Sequence, residues 1–153
     1  MFENTKGFLN NFLEPFVDLF AWGILERHPK LKMVMAEAGT GWLPWLMQEL
    51  DYRHWRLWEA KEFWADKGGM ELETKPSELF RRQCHMVGWF DATGLKTRHH
   101  IGLNNLLWST NFPQATSTWP ESRNAIARAF QDVPENVRRQ VLVDNAAKLY
   151  KLA

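Results

Sequence analysis

The stretch from Leu106 to Pro120, LLWSTNFPQATSTWP, changes within a few residues from an apolar run to small polar side chains. A short apolar run that stops in this way is typical of a buried strand that ends at the edge of a sheet. The polar part carries two amides, Asn111 and Gln114, where a catalytic centre usually has a carboxylate and an imidazole. The stretch therefore predicts a strand, NLLWS, followed by a loop. The loop lies where an active site is expected, but it lacks the residues that an active site usually has.

Two further runs resemble this strand. LKMVMAEAG, from Leu31 to Gly39, is a short segment rich in apolar residues between Pro29 and Gly39, and QCHMVGW spans Gln83 to Trp89. Their length and flanking residues favour buried strands over helices.

Helices are predicted between and after these strands from apolar spacing, caps and prolines. They cover Asn11 to His28, Trp42 to Lys67, ELFRRQ after Ser77, DATGLKTRHHIG as a helical turn or short helix, Trp119 to Phe130, and Pro134 to Tyr150. Strands that alternate with helices indicate an α/β fold with parallel pairing. Three parallel strands form a small sheet whose outer strands keep unpaired backbone groups.

Composition limits the class of protein. The chain has 153 residues, which suits a single domain over 1–153, and 45% of them are hydrophobic. A net charge of +1 argues against nucleic acid or an anionic membrane as the main partner. The single cysteine, Cys84, cannot form an internal disulfide, and no apolar run is long enough to span a bilayer. We expect a cytoplasmic protein.

Several segments together resemble one family. GILERHPKLKMVMAEAGTGWLPWLMQELD, KPSELFRRQ, RHHIGLNNLLWSTNFP, STWPESR and DNAAKLY are similar, in this order, to the C-terminal part of the amidohydrolase-2 family. That family includes relatives of aminocarboxymuconate-semialdehyde decarboxylase and γ-resorcylate decarboxylase. The resemblance implies a metal-dependent TIM barrel, a fold that needs roughly 250 residues. We therefore expect a truncated, partial (β/α)8 barrel of about three strands with flanking helices.

The resemblance also assigns the opening stretch. The family strand that matches NLLWSTNFP typically ends Ser-Asp-Tyr-Pro-His, and its aspartate binds the divalent metal, typically zinc. Here Asn111 stands at that position and Gln114 replaces the histidine. The family's other histidine ligands, two early ones and one on the fifth strand, would precede Met1. An amide is neutral and cannot replace an anionic ligand or a base, so we expect no metal and no cofactor in the isolated chain.

Six residues are candidates for a site at the strand ends. Glu37 ends the first strand before the flexible AGTG, and either has a catalytic role or pairs with a neighbour. Asn111 is the second catalytic position by resemblance, although it is expected to be inactive. His85, on the second strand, is either part of the site or a core histidine. The substrate-binding candidates are Trp42, His85, Trp89 and Gln114.

The tryptophan-rich helix concerns assembly. Leu43, Met47 and Leu50 mark one face of it, and the aromatic residues fall largely off that face: Trp45, Tyr52, Trp55 and Trp58. A helix that is apolar on more than one side is usually buried on more than one side, and aromatic residues are enriched at protein interfaces. Base stacking is the rival interpretation, but acidic residues dilute the positive charge that it needs. We expect a homo-oligomer with aromatic residues near the contact.

Three functions stay open from the sequence. In the first, the chain is the C-terminal part of an amidohydrolase-like barrel, has no independent metal centre and is stable only as an oligomer. In the second, it is one subunit of a split enzyme whose partner chain supplies the missing half of the barrel. The third is a non-catalytic binding or scaffold module that keeps the aromatic pocket. The replaced ligands favour the first and third, so whether the chain is an enzyme is open.

Overall fold

The computed structural model of the protein describes residue 7 and residues 9–59 and 72–152. The strands are β1 (Met33–Met35), β2 (Cys84–Gly88) and β3 (Leu106–Trp108). The helices are α1 (Glu14–Ala21), α2 (Ile24–Arg27), α3 (Leu43–Glu59), α4 (Pro76–Gln83), α5 (Ala92–Lys96), α6 (Arg98–Ile101), α7 (Ser122–Ala129), α8 (Glu135–Arg139) and α9 (Asn145–Tyr150). Two π-helical segments, Leu9–Leu13 and Gln140–Asp144, and a 3-10 turn, Leu103–Asn105, complete the list.

The three strands form one parallel sheet in the order β1-β2-β3. Met35 lies opposite Met86 on the neighbouring strand, and Met86 lies opposite Leu106. All three are buried, so the row of side chains across the sheet is apolar. The α/β fold with parallel pairing, which the sequence predicts, is confirmed. β1 and β3 are shorter than the runs that predicted them.

The chain forms two compact units. The sheet unit consists of the described residues of 33–45 and 84–153, and the helical unit consists of those of 1–32 and 46–83. The core of the sheet unit is built from the strands and the helices that follow them, with Leu95, Ile101, Phe130 and Val141 buried beside the strand residues. The single domain over 1–153 stays a prediction.

The helical unit has an aromatic core. Phe16 meets Phe20 edge-on with ring centroids 5.2 Å apart, and it meets Phe80 in the same way at 6.4 Å. All three are at most 2% exposed. The buried Gln83 of α4 donates to the carbonyl oxygens of His28 and Leu31, at 2.8 and 3.3 Å. This buried, paired amide ties the end of α4 to the segment from His28 to Leu31, just before β1.

Two predicted helices are interrupted. The helix predicted from Asn11 to His28 ends at Ala21, because Gly23 adopts the left-handed φ of 59°. The backbone amide of Gly23 donates to the Phe20 carbonyl at 2.8 Å, which is a common way for a helix to end at glycine. The helix predicted from Pro134 to Tyr150 begins at Glu135 and contains the π-helical segment Gln140–Asp144.

The tryptophan-rich helix α3 has one buried face, and burial of a second side stays a prediction. Leu43 and Met47 are buried, whereas Trp45, Tyr52 and Trp55 are 63%, 55% and 49% exposed. The side chain of Trp58 and the predicted continuation of the helix to Lys67 lie outside the described residues. Among the described residues, no helix is long and apolar enough to cross a membrane.

Buried amides hold β3 in the sheet unit. Asn105 donates to the Cys84 carbonyl at 2.6 Å, and Asn145 of α9 donates to the carbonyls of Leu103 and Leu106 at 2.8 and 2.7 Å. Asn145 therefore satisfies backbone acceptors at both ends of the turn that leads into β3.

The contact between Thr40 and Gly94 gives a stability test. A Cβ atom on Gly94 would lie 1.8 Å from Thr40 Oγ1 and 2.8 Å from Thr40 Cβ. Gly94→Ala should therefore lower the free energy of unfolding by about 1–3 kcal/mol, because overpacking forces the loop and α5 apart. Urea denaturation measures the change. In a Thr40→Ala background, which removes the nearest atom, the penalty should shrink, and an equal penalty in both backgrounds would contradict the account.

Candidate functional site

The carboxyl ends of the three parallel strands lie at one edge of the sheet, as parallel pairing requires. Glu37 follows β1, Trp89 follows β2 and Asn111 follows β3. In barrels of alternating strands and helices, this edge carries the active site. The structure therefore brings the loops with these three residues to the same rim, and their roles stay predictions.

Two rim residues adopt an unusual backbone conformation. Glu37 has φ 61° and Asn111 has φ 59°, both in the left-handed region. Asparagine is among the few residues that enter this region readily, whereas glutamate is not. Such strain persists where the surroundings enforce it, and it is concentrated at functional sites. Glu37 is exposed, so its carboxylate faces solvent.

The loop after β3 is shaped by its own small polar residues. The backbone amide of Asn111 donates to Ser109 Oγ at 3.0 Å, and the Asn111 side chain donates to Thr116 Oγ1 at 3.2 Å. The Ser117 hydroxyl donates to the Thr110 carbonyl at 2.8 Å. The serines and threonines of the opening stretch thus hold the loop closed, and the Asn111 amide is part of that network.

Trp42 and Trp89, two predicted substrate-binding residues, have neighbours of their own. The indole Nε1 of Trp42 donates to the Ala38 carbonyl at 2.7 Å, so it braces the loop after β1. Trp89 is partly exposed and meets Phe90 edge-on, with ring centroids 4.9 Å apart. Phe90 itself is 60% exposed. An aromatic surface accordingly borders the rim beside β2.

The other two predicted binding residues differ in position. His85 lies within β2, opposite Val34 of β1, and is half-buried. Gln114 is exposed in the loop after β3, where its backbone amide donates to the Asn111 carbonyl at 3.0 Å. His85 thus sits before the carboxyl end of its strand, whereas Gln114 lies beyond the end of β3.

Asp91 is a rim residue that the sequence analysis missed. It is the N-cap residue of α5, but its side chain makes no cap hydrogen bond. Instead the backbone amides of Thr40 and Gly41, in the loop after β1, bond to its carboxyl group. Burial raises the pKa of Asp91, and these two backbone bonds oppose the increase. The position of an aspartate three residues after a strand is a usable signal, but it is equally the signal of an ordinary helix cap.

The donor atoms at the rim do not fit a transition metal. Asn111 and Gln114 offer neutral amide oxygens, whereas such ions favour several imidazole, thiolate or carboxylate ligands that converge on one point. Across residues 9–59 and 72–152, no group of three or more histidine, cysteine, aspartate or glutamate side chains is arranged to hold a metal ion. The zinc that the family resemblance implies has no matching ligand set in this part of the chain.

Comparisons with known proteins agree on one family. The sequence profile of Amidohydro_2, described as amidohydrolase, matches residues 5–152. The structure is similar to 5-carboxyvanillate decarboxylase from Sphingomonas paucimobilis, with a TM-score of 0.70 and 26% identity over 88% of this chain and 38% of that one. No curated protein matches the sequence at a significant level.

Two further solved structures share the fold. An amidohydrolase from Mycobacterium avium subsp. paratuberculosis K-10 has a TM-score of 0.60 and 22% identity over 83% of this chain and 29% of that one. A 2,6-dihydroxybenzoate decarboxylase from Rhizobium has a TM-score of 0.60 and 21% identity over 85% and 38%. The chain thus spans less than two fifths of the length of these relatives. The predicted partial barrel is confirmed.

The backbone of Glu37 gives a test of strain at the rim. Glu37→Gly should raise the free energy of unfolding by about 1 kcal/mol, because glycine adopts a left-handed φ without a steric penalty. Chemical denaturation measures it, and the neighbouring Ala36→Gly is the matched control. Ala36 has no positive φ, so that substitution should lower stability by roughly 0.5–1 kcal/mol. Equal changes in the free energy of unfolding for Glu37→Gly and Ala36→Gly would refute backbone strain at Glu37.

The raised pKa of Asp91 predicts a pH dependence. Because its folded pKa lies above the ordinary value of 3.8, the folded state binds the proton more tightly than the unfolded state. The contribution of this group to stability is therefore fully present below 3.8 and is lost as pH rises through the folded pKa. Denaturation of the wild type and of Asp91→Asn across this range should show the wild type losing stability relative to the variant. A constant difference between them would contradict the assignment.

Proposed function

Because the chain belongs to the amidohydrolase family, we propose that it is the C-terminal part of a metal-dependent hydrolase or decarboxylase barrel and has no independent metal centre. The observation that carries the proposal is the rim after β3. There Asn111 stands where the family's metal-binding aspartate is expected, and its amide donates to Thr116 Oγ1 within the loop. A metal ligand at this position must offer an anionic oxygen. The Asn111 side chain is neutral, and its amide is bound to Thr116 within the loop.

The proposed substrate class comes from the relatives alone. The structure at 26% identity is a 5-carboxyvanillate decarboxylase, and a second relative is a 2,6-dihydroxybenzoate decarboxylase. Both names describe aromatic carboxylic acids. The aromatic residues at this rim, Trp89 and Phe90, are compatible with such a ring. Catalysis by such a barrel requires metal ligands from the part of the barrel that this chain does not match.

Assembly is the second part of the proposal. We infer that the chain functions in the cytoplasm as a homo-oligomer. The support is the exposure of Trp45, Tyr52 and Trp55 on α3, since three large aromatic side chains on one helix favour contact with another protein surface.

A split enzyme is the alternative that one finding favours. The chain spans 38% of the length of the 5-carboxyvanillate decarboxylase that it resembles. A partner chain with the remaining strands would complete the barrel and bring histidine ligands. In such a complex Glu37 and Asn111 would lie at a shared rim. Asn111 would still contribute a neutral amide, so the metal would depend on the partner's ligands.

Metal analysis of the purified chain tests the proposal. We expect far less than one equivalent of zinc, manganese or iron per chain after dialysis. Asn111→Asp should remain equally metal-free, because one carboxylate does not make a first-row metal site. Asn111→Asp/Gln114→His, which restores both residues of the family pattern, is the stricter variant, and it should also bind no tight metal. Near-stoichiometric metal in the wild type alone would refute the proposal.

A further inference from the structure

A small cavity lies behind the rim of the sheet unit, between the strand ends and the helices that cover them. Its walls include Thr40 from the loop after β1, Gly88 at the end of β2, Asp91, Trp108 of β3, and Val141. The space open to the centre of a water-sized sphere is about 10 Å³. That is close to the least that one water molecule needs, and it leaves no room for a larger ligand.

Two of the residues that line this cavity each carry a buried polar atom that has no hydrogen-bond partner in the described part of the chain: Asp91 Oδ2 and Trp108 Nε1. A Cβ atom on Gly39, in the loop after β1, would lie 3.0 Å from Asp91 Oδ1 and 3.4 Å from Oδ2, whereas one on Gly88, in the cavity wall, would lie 3.2 Å from Oδ2. The indole nitrogen is a donor only, and a carboxylate oxygen accepts. The two atoms are therefore complementary, and each needs a partner because buried polar groups are rarely left unsatisfied.

The identity of the occupant follows from these requirements. A cation would face the N–H dipole of the indole, and an anion would face the carboxylate. A group that accepts from Trp108 Nε1 and also donates to Asp91 Oδ2 must carry both a lone pair and a polar hydrogen, and water is the ubiquitous molecule of this kind that fits a space of about 10 Å³. We propose that this cavity is a binding site for one ordered water molecule that bridges Trp108 and Asp91.

The bridge links three strand ends. Asp91 accepts the amides of Thr40 and Gly41, so the loop after β1 is bound to the segment after β2. The water extends that link to β3 through Trp108, whose ring also packs against Phe130 at 5.3 Å. The site serves either protonation state of Asp91. An ionised Oδ2 accepts from the water, whereas a protonated one donates to it, and the water then accepts from both groups.

Water-selective NMR on the full, ¹⁵N-labelled chain tests the site. Trp108→Phe identifies the Trp108 indole resonance. We expect a cross-peak between the Trp108 Hε1 proton and a long-lived water in a rotating-frame experiment. The Trp42 indole is the internal control, since it donates directly to the Ala38 carbonyl at 2.7 Å and should show no such cross-peak. Absence of the Trp108 cross-peak in the wild type overturns the proposal. If the cross-peak is absent and the Trp108 indole resonance also moves strongly on Asp91→Asn, then Trp108 Nε1 donates directly to Asp91 and no water lies between them.

Filling the cavity is the second arm of the experiment. A Cβ atom on Gly88 would lie 3.2 Å from Asp91 Oδ2, in the space assigned to the water. Gly88→Ala should therefore abolish the cross-peak and lower the melting temperature. Gly41→Ala is the matched control, because its Cβ would lie equally close, 3.2 Å, to the apolar Cβ of Thr93. The cross-peak should survive in that variant. Its survival in Gly88→Ala would overturn the proposal.

Discussion

The constraint on which the rest of the structure depends is the pairing of three short parallel strands. Within the described residues, β1 and β3 each pair with β2 alone, so each has one edge without a strand partner. Parallel sheets are normally buried on both faces, and free edges invite pairing with another chain. The relatives that share the fold are more than twice as long. A sheet of this size gains stability mainly from what covers it, and the proposed assembly follows from that requirement.

Within the sheet unit, polar side chains do much of the positioning. Asn105 and Asn145 bind the backbone around β3, and the Asp91 carboxyl holds the loop after β1. Each of these bonds joins segments far apart in sequence and lies largely out of solvent. The rim keeps its geometry through them, even though Asn111 and Gln114 lack the charge of the family's residues. We propose that this chain keeps the scaffold of an amidohydrolase rim without its metal chemistry.

Much of this architecture is predictable from the sequence. The three apolar runs and their flanking residues indicate the parallel sheet, and the segment matches identify the family. The breaks within the predicted helices are harder, because the apolar spacing from Phe12 to Ile24 continues through the turn where Gly23 ends α1. Asp91 is hidden for a different reason. Its pattern is that of a helix cap, and only the folded chain shows that its carboxyl group reaches Thr40 and Gly41 instead.

The assembly of the purified chain tests the central claim most directly, since the claim is that three parallel strands and an aromatic helix surface need further protein to cover them. Sedimentation velocity at micromolar concentration, with far- and near-ultraviolet circular dichroism of the same sample, measures mass and folding together. The account predicts a folded dimer or larger species that dissociates with loss of structure on dilution. A compact, fully folded monomer of 18.0 kDa would contradict it.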